Sequence, residues 1–473
     1  MESPPSARHS PPEGAGSPSA RAGHAWLIAA VCASLFCMPL MMAGVNAILP
    51  SLGQGLEASA LELGLMGAFY ALGLAVFQLA GGSLGEIQGY RRVFLWGITL
   101  FGLAGALLGF ARTVPFFLAL RFVQGVGGAM TSACGLAMLA SAAPPGKRPA
   151  YLGYSGTAVY AGIACGPPVA GIVTGFLDWR WLFWCSALAS AGVFLLMKYF
   201  VRLEWRVAPD RRFDREGCLL YAAAMAALVF GAACLKISLL LSGGLFAAFA
   251  VLLALFCLWE LRSAAPLLDI RLLARNRVFA LSSLVAFVNY SSFFGVVFFF
   301  SLYLQLGKGM DVRQAGLFLA LQSVVQALTA PVAARLCGRF DAGRVSAWGV
   351  GLCGCGLLVC AFLRPESPPA VLMAAQCLLG AGISLFSLSN TSIILESAGP
   401  QHTGQAAGVI GAVRTGGQVC NMTIITLTLA WFLGDRPVSP ENLDTLLHVM
   451  HVDLVIFGLC NILAVGCALA RNR

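Results

Sequence analysis

The sequence predicts an all-α integral membrane protein with about fourteen transmembrane helices, and three observations predict it. Hydrophobic residues fill 59% of the 473 positions and charged residues only 11%, where a soluble domain carries roughly a quarter of its residues as charges. The apolar residues fall into runs of about 20, the length that crosses a hydrocarbon core of about 30 Å at 1.5 Å per residue. The basic residues lie between those runs in an alternating bias that sets an orientation and an even number of crossings.

Taken in order, the runs place spans at Ala25–Leu49, Leu61–Leu84, Val93–Ala111, Val114–Ala142, Tyr151–Leu177 and Trp181–Val201. Gly217–Leu235 and Ser238–Leu261 follow, separated by only two residues, so they form a tight hairpin. The remaining spans are Phe279–Leu304, Ala315–Cys337, Val345–Leu363, Ala370–Leu395, Gly404–Phe432 and Val449–Ala470. Residues 1–24 are rich in Pro, Ser, Gly and Ala without an apolar run, which predicts a disordered cytoplasmic tail. No small-residue cleavage pattern follows an apolar core of signal-peptide length, so the first span is expected to stay in the mature protein.

The net charge of +10, from 30 Lys plus Arg against 20 Asp plus Glu, need not mean nucleic acid. With the N-terminus inside, 20 of the 30 basic residues fall in cytoplasmic segments, 7 in outer ones and 3 within or at the ends of spans. This is the positive-inside bias. The charges are spread over loops rather than gathered into a stripe, so no nucleic-acid partner is expected. The sixteen cysteines sit mostly inside apolar runs (Cys32, Cys37, Cys134, Cys257, Cys360, Cys460) without paired CxxC units. They read as small hydrophobes, and no metal is expected.

An internal repeat organises the spans. Residues 81–97 (GGSLGEIQGYRRVFLWG) and 334–349 (ARLCGRFDAGRVSAWG) both contain R-V-x-x-W-G, at Arg92–Gly97 and Arg344–Gly349. Parallel repeats about an axis along the membrane normal mark one large transporter class. Because the copies follow the second and tenth spans, the seventh and eighth are an insert between two six-span halves. The expected organisation is therefore a six-helix bundle over 25–201, a cytoplasmic linker 202–216, an inserted hairpin 217–261, a second linker 262–278 and a six-helix bundle over 279–473.

Chemistry concentrates at a few places. The first loop copy offers Gly82, Leu84, Glu86, Gly89, Arg91 and Arg92, and the second offers Asp341 and Arg344. An acid and basic residues beside helix ends can pair and latch one conformation; a loop that is basic only for topology, with turn glycines, is the alternative. The fourth span carries Arg121, Gln124, Gly125, Gly127 and Gly128. An arginine in lipid costs at least about 2.5 kcal/mol, so Arg121 is expected to face a cavity. Since it lies only seven residues past Val114, snorkelling to the outer surface is the other possibility. In the fifth span Gly162, Gly166 and Ala170 recur every fourth residue and let a neighbouring helix approach closely, while Pro167, Pro168 and Gly171 make the helix bendable.

These motifs resemble, in order and along nearly the whole chain, the major facilitator superfamily and within it the fourteen-span drug:proton antiporters. Further matches are Trp179-Arg180-Trp181-Leu182-Phe183 opening the sixth span, Pro266-Leu267-Leu268-Asp269 before the ninth and Tyr303-Leu304-Gln305 ending it. In span 13, Gly404 to Gly417 enclose Arg414. The resemblance implies a major facilitator fold of two six-helix pseudo-repeat bundles plus a two-helix insert. It also implies a monomer in a bacterial cytoplasmic membrane with both termini inside. The first-loop copy is degenerate, with Glu86 kept but Ile87 in place of the family's Arg. The family's span-1 pattern ends in Asn46 and Pro50 here, but its aspartate position is Met41.

Proton coupling needs a group that titrates with access alternating between sides, and no carboxylate lies at the middle of the first six spans. Polar residues that could line a cavity are Asn46, Gln78, Gln124, Asn289, Tyr290, Gln322, Gln326, Asn390 and Asn421, each equally able to bond helix to helix. As a group they suggest a neutral or cationic, amphipathic substrate. The leading expectation is a secondary transporter exporting a small molecule in exchange for protons. The others are a proton-independent facilitator or importer and a transporter-like sensor. No span pairs a nucleophile with a base, so no enzyme and no cofactor are expected.

Overall fold

The computed structural model describes residues 18–471 apart from 144–147, 207–211, 236, 264, 265, 269, 399–402, 435, 437 and 439. The expected tail as far as residue 17, with Lys147, Arg211, Lys236, Asp269 and Arg473, falls outside them.

The N-terminal half consists of α1 (Pro18–Ala47), α2 (Leu49–Leu56), α3 (Ala60–Gln88), α4 (Tyr90–Leu108), α5 (Val114–Ala142), α6 (Arg148–Phe176) and α7 (Arg180–Phe200). The insert is α8 (Arg215–Ala233) and α9 (Leu239–Arg262). The C-terminal half follows a short α10 (Ile270–Arg275). It holds α11 (Arg277–Phe293), α12 (Val296–Leu302), α13 (Val312–Cys337), α14 (Ala342–Ala361), α15 (Pro369–Ala398), α16 (Thr403–Phe432) and α17 (Leu443–Ala470). Thirteen described helical stretches are long and apolar enough to cross a membrane. The thirteenth expected span, α16, is not among them, although its 30 residues reach about 45 Å; glycine, threonine and amide residues dilute its hydropathy.

Helix ends lie where local chemistry puts them. Ser59 caps α3 in a reciprocal box with Glu62, which satisfies two backbone donors at once; Asp311 and Gln314 do the same for α13. Glu62, an acid near a span end, is thereby a capping residue. Three departures from continuous spans appear. The first helix begins at Pro18, seven residues before Ala25. The first span breaks after Ala47, and its end continues as α2. The ninth breaks at Phe294–Gly295 and ends in a π-helical turn over Tyr303–Gly307. Backbone groups freed inside a membrane need partners. Ser301 and Gln305 donate to the Ala47 carbonyl at 2.8 and 2.9 Å, and Asn421 donates to the Ser291 carbonyl at 2.7 Å.

The two halves repeat the same helix crossings. A Cβ on Gly127 of α5 would strike the Gly97 carbonyl and the Phe101 nitrogen of α4. One on Gly382 of α15 would strike the Gly349 carbonyl and the Cys353 nitrogen of α14. Two residues earlier and on the opposite helix face, Gly125 packs on Tyr70 and Leu74 of α3, and Gly380 on Gln322 and Gln326 of α13. Between helices in lipid, where the hydrophobic effect supplies no attraction, such close backbone approach is the main source of packing energy.

Most of the described contact between the halves comes from two helix pairs, α3 with α16 and α6 with α13. The insert sits outside one of them: α8 packs on both α3 and α16, with Phe230 edge-on to Phe69 at 5.6 Å. At its base Asp214 accepts from Gly217 N, Trp259 Nε1 and Ser263 Oγ, and Glu260 accepts from Leu268 N. These bonds tie both linkers to the hairpin. The outside is apolar, with Phe176, Leu188, Leu240, Leu328 and Leu463 each at least 70% exposed. A water-facing monomer does not carry such a surface, so lipid must cover it.

Candidate central cavity

At the centre, between α1, α3, α5, α11 and α16, lies a small cavity of ≈ 20 Å³ lined by Met42, Asn46, Gly67, Tyr70, Ala71, Arg121, Phe294, Gln418 and Met422. That is room for a water-sized group. Arg121 is 1% exposed and does not snorkel. Its Nη1 donates to Gln124 Oε1 at 2.7 Å and its Nε to the Met66 carbonyl at 3.4 Å. Its guanidinium lies over the Tyr70 ring, 4.4 Å from the centroid. The glycines after Arg121 allow this, because Gly125 lets α5 approach α3 closely enough to stack the pair. Among the described residues, none lining the cavity is acidic. Met41, the position of the family's span-1 acid, is packed in the core, and its neighbour Met42 faces the cavity.

Contacts between the halves are unequal along the seam. At the end holding Ala47, Phe176, Val312 and Phe432 they are dense. Arg313 donates to the Gly175 carbonyl at 2.7 Å and stacks on Phe176 at 3.8 Å. A Cβ on Gly64 would meet Thr426 at 2.6 Å, one on Gly171 would meet the Val312 carbonyl at 2.6 Å, and one on Gly316 would strike the Pro167 carbonyl. Past the cavity, a Cβ on Gly411 is 3.6 Å from Gln78, and beyond that Gly82, Gly156 and Gly408 each face open space. Among the described residues the seam is shut at one end and looser at the other, its open end, where Tyr160 Oη and Ser387 Oγ still meet at 3.3 Å.

The fifth-span motif divides its work. Gly162 and Gly166 pack on Phe36, Leu40 and Ala43 of α1, inside the N-terminal half, while Gly171 and the Pro167 carbonyl meet α13 of the other half. The helix runs unbroken through both prolines.

The loop motif is a clasp within one half. Gly89 has φ +110° and bridges α3 to α4, a backbone that glycine adopts freely. Arg91 donates through Nη2 to the Lys198 and Met197 carbonyls, and its backbone N–H donates to Glu204. Arg92 stacks on Trp96 at 5.3 Å. Gly82 meets nothing, and Glu86 is half-buried near the end of α3. In the second copy Asp341 caps α14 by accepting from Arg344 N, and the Arg344 side chain is exposed. Among the described residues, the bonds that Arg91 makes are ties to α7 and the linker within its own half.

Of the other candidates, Asn289 donates to Asn461 at 2.8 Å and Asn390 to the Ser282 carbonyl at 3.1 Å, so both bond helix to helix. Gln322 is buried on α13. Arg414 is half-buried on α16, one turn from Gln418 on the same face, toward the open end. Four residues missed from the sequence matter. Tyr70 and Gln418 line the cavity. Arg471 is buried and bonds Ser282 Oγ, Asn390 Oδ1 and the Gly343 carbonyl. Asp453 is fully buried within α17, where one oxygen accepts from Thr428 at 2.7 Å and the other has no partner. An acid inside the last apolar run was the available signal for Asp453.

The chain resembles several curated transporters. It is 28% identical to the multidrug resistance protein Stp of Mycobacterium tuberculosis, covering 82% of this chain and 73% of that protein. It is 28% identical to the tetracenomycin C resistance and export protein of Streptomyces glaucescens, covering 83% and 73%. It is 24% identical to the riboflavin transporter RibZ of Clostridioides difficile, covering 82% and 85%. Its fold matches the crystal structure of a POT family transporter in complex with 5-aminolevulinic acid, with a TM-score of 0.72 at 13% identity over 94% of this chain and 95% of that one. The Major Facilitator Superfamily model matches residues 31–421, and the chain belongs to that family: it is a multi-pass membrane transporter and not an enzyme.

Proposed function

We propose that the protein exports a small amphipathic molecule by alternating access, as a monomer with fourteen spans, counting α16, and both termini on the cytoplasmic side of a bacterial cell membrane. The seam carries this reading. Its halves touch tightly at one end and part at the other, around a polar cavity, the geometry of one extreme of a rocking cycle. The positive-inside bias puts the open end in the cytoplasm, where an exporter loads. The names of the resistance and export relatives support the direction.

Two drives remain in view, each with its observation. Proton exchange, which the drug antiporters suggest, has Asp453 as its available carboxylate, although that residue sits behind α16 rather than in the cavity. Proton-independent transport is favoured by Met41 and by the acid-free lining. The experiment is flux through purified, full-length protein in proteoliposomes, with and without a pH gradient, across neutral, cationic and anionic amphipathic probes. Gradient-dependent flux that Asp453→Asn removes supports exchange, and gradient-independent flux eliminates it. Arg121→Ala is expected to abolish transport while the protein still inserts and elutes as a single folded species. No flux of any probe by folded protein would point to a sensor.

A further inference from the structure

We propose that the substrate is an organic anion, held through its acidic headgroup by Arg121. This inference rests on the transport reading above and names its substrate class. It departs from the neutral or cationic molecule that the polar side chains alone suggested.

The argument begins with an unbalanced charge. Arg121 is buried at the centre of the bundle, and its partners are a side-chain amide, a backbone carbonyl and the face of Tyr70. These dipoles solvate a guanidinium but do not neutralise it. Among the described residues, the single ion pair is Arg180 with Asp178, far from the cavity at a helix end. Ionisable groups inside a membrane normally pair with one another, and here no described residue lining the cavity supplies an anion. Among the described residues Nη2 of Arg121 has no hydrogen-bond partner, in a side chain that lines the cavity. A planar guanidinium with free N–H groups suits a carboxylate or sulfonate.

The surroundings fit the rest of such a molecule. Asn46 and Gln418, both buried, bring amide groups to the same cavity, and Gln418 Oε1 has no partner. Met42, Met422 and Phe294 supply an apolar wall, and methionine adapts to varied apolar shapes. Arg414 stands one turn nearer the open end, with no hydrogen bond or ion pair among the described residues. The path from the open end to Arg121 is therefore positive at both stations, which attracts an anion and repels a cation.

This assignment also accounts for the missing acid. A cation leaving a negative-inside cell moves against the membrane potential and needs a counter-ion. An anion leaving the same cell moves with it. For a monovalent anion, about 100 mV sustains roughly a fifty-fold concentration ratio without a proton. One negative charge leaves per cycle, and the rocking halves need no titratable group.

The test uses full-length protein in proteoliposomes with a potassium diffusion potential and no pH gradient. Radiolabelled benzylpenicillin (a carboxylate) and taurocholate (a sulfonate) are compared with ethidium and tetraphenylphosphonium. The expected result is anion flux toward the positive side that reverses when the potential is reversed. Arg121→Gln should lower it at least 100-fold, Arg121→Lys should retain part of it, and Arg414→Gln should raise the apparent KM several-fold with little change in maximal rate. The two anions separate carboxylate from sulfonate preference. Cation flux without anion flux, or anion flux unchanged in folded Arg121→Gln, overturns the inference and leaves the transport reading standing. Absence of flux for all four probes removes both.

Discussion

The two halves share their packing and differ in their chemistry. The crossings of α5 on α3 and α4 in the first half, and of α15 on α13 and α14 in the second, are built on equivalent glycine pairs, Gly125 with Gly127 and Gly380 with Gly382. Gly125 meets the Tyr70 carbonyl where Gly380 meets that of Gln322, and four residues before these glycines stand Arg121 and Gln376. Where the first half holds a guanidinium stacked on a phenol ring, the second holds Gln376, fully buried with neither end of its amide bonded. The scaffold recurs because close helix approach in lipid admits few side chains besides glycine. The chemistry does not recur because a buried charge is tolerable only where something will answer it. One half carries the site and the other supplies its matching wall.

The same contrast holds at the rim that carries the two loop repeats. In the first half Arg91, in the first turn of α4, reaches carbonyls at the end of α7. In the second, Arg471, at the end of α17, reaches back to the Gly343 carbonyl at the start of α14. Both arginines fasten the last helix of a half to its third, but the cation comes from opposite partners.

The comparison can be broken most severely by making the halves alike. Gln376→Arg would put a second cation at the equivalent depth and should cost about 2.5–3.5 kcal/mol, seen as a sharp fall in membrane-inserted protein. Normal insertion would show that Gln376 already reaches an acid or water. Next in size, Arg471→Ala removes three bonds to a buried charged group and should lower stability by about 1.5–3 kcal/mol. Arg91→Ala, at a half-exposed site, should change it by about 0.5 kcal/mol. Equal melting shifts for the two variants would mean the rims are equivalent after all. The finest test is Gly127→Val against Gly382→Val. Overpacking should cost about 1–3 kcal/mol in each, with matching shifts in thermal melting; a large disparity would show that the crossings only look alike.

Much of the molecule was legible as sequence. The apolar runs located the helices to within a few residues, since crossing length is a hard requirement. R-V-x-x-W-G marked equivalent places because Gly97 and Gly349 occupy the same kind of crossing. Arg121 stood out because charge in an apolar run is rare. What stayed open shares a cause. The partners of Arg91 depend on the folded path of α7 and on Glu204. Asn289 and Asn390 had two readings, cavity lining and helix-to-helix bonding, and only the packing supplies their partners, Asn461 and the Ser282 carbonyl.

The sequence by itself determined the membrane class, the helix positions and the one arginine that had to face something polar. The tertiary structure alone decided which faces meet: that Tyr70 lies beneath Arg121, that Asp453 sits behind α16, that Gln376 answers Arg121 across the repeat, and which end of the seam is shut. In a soluble helix the apolar stripe names the buried face. In this chain lipid-facing and core-facing residues are both apolar, so the pattern carries length without direction. Direction comes from backbone approach at the glycines and from the partners the few polar groups find.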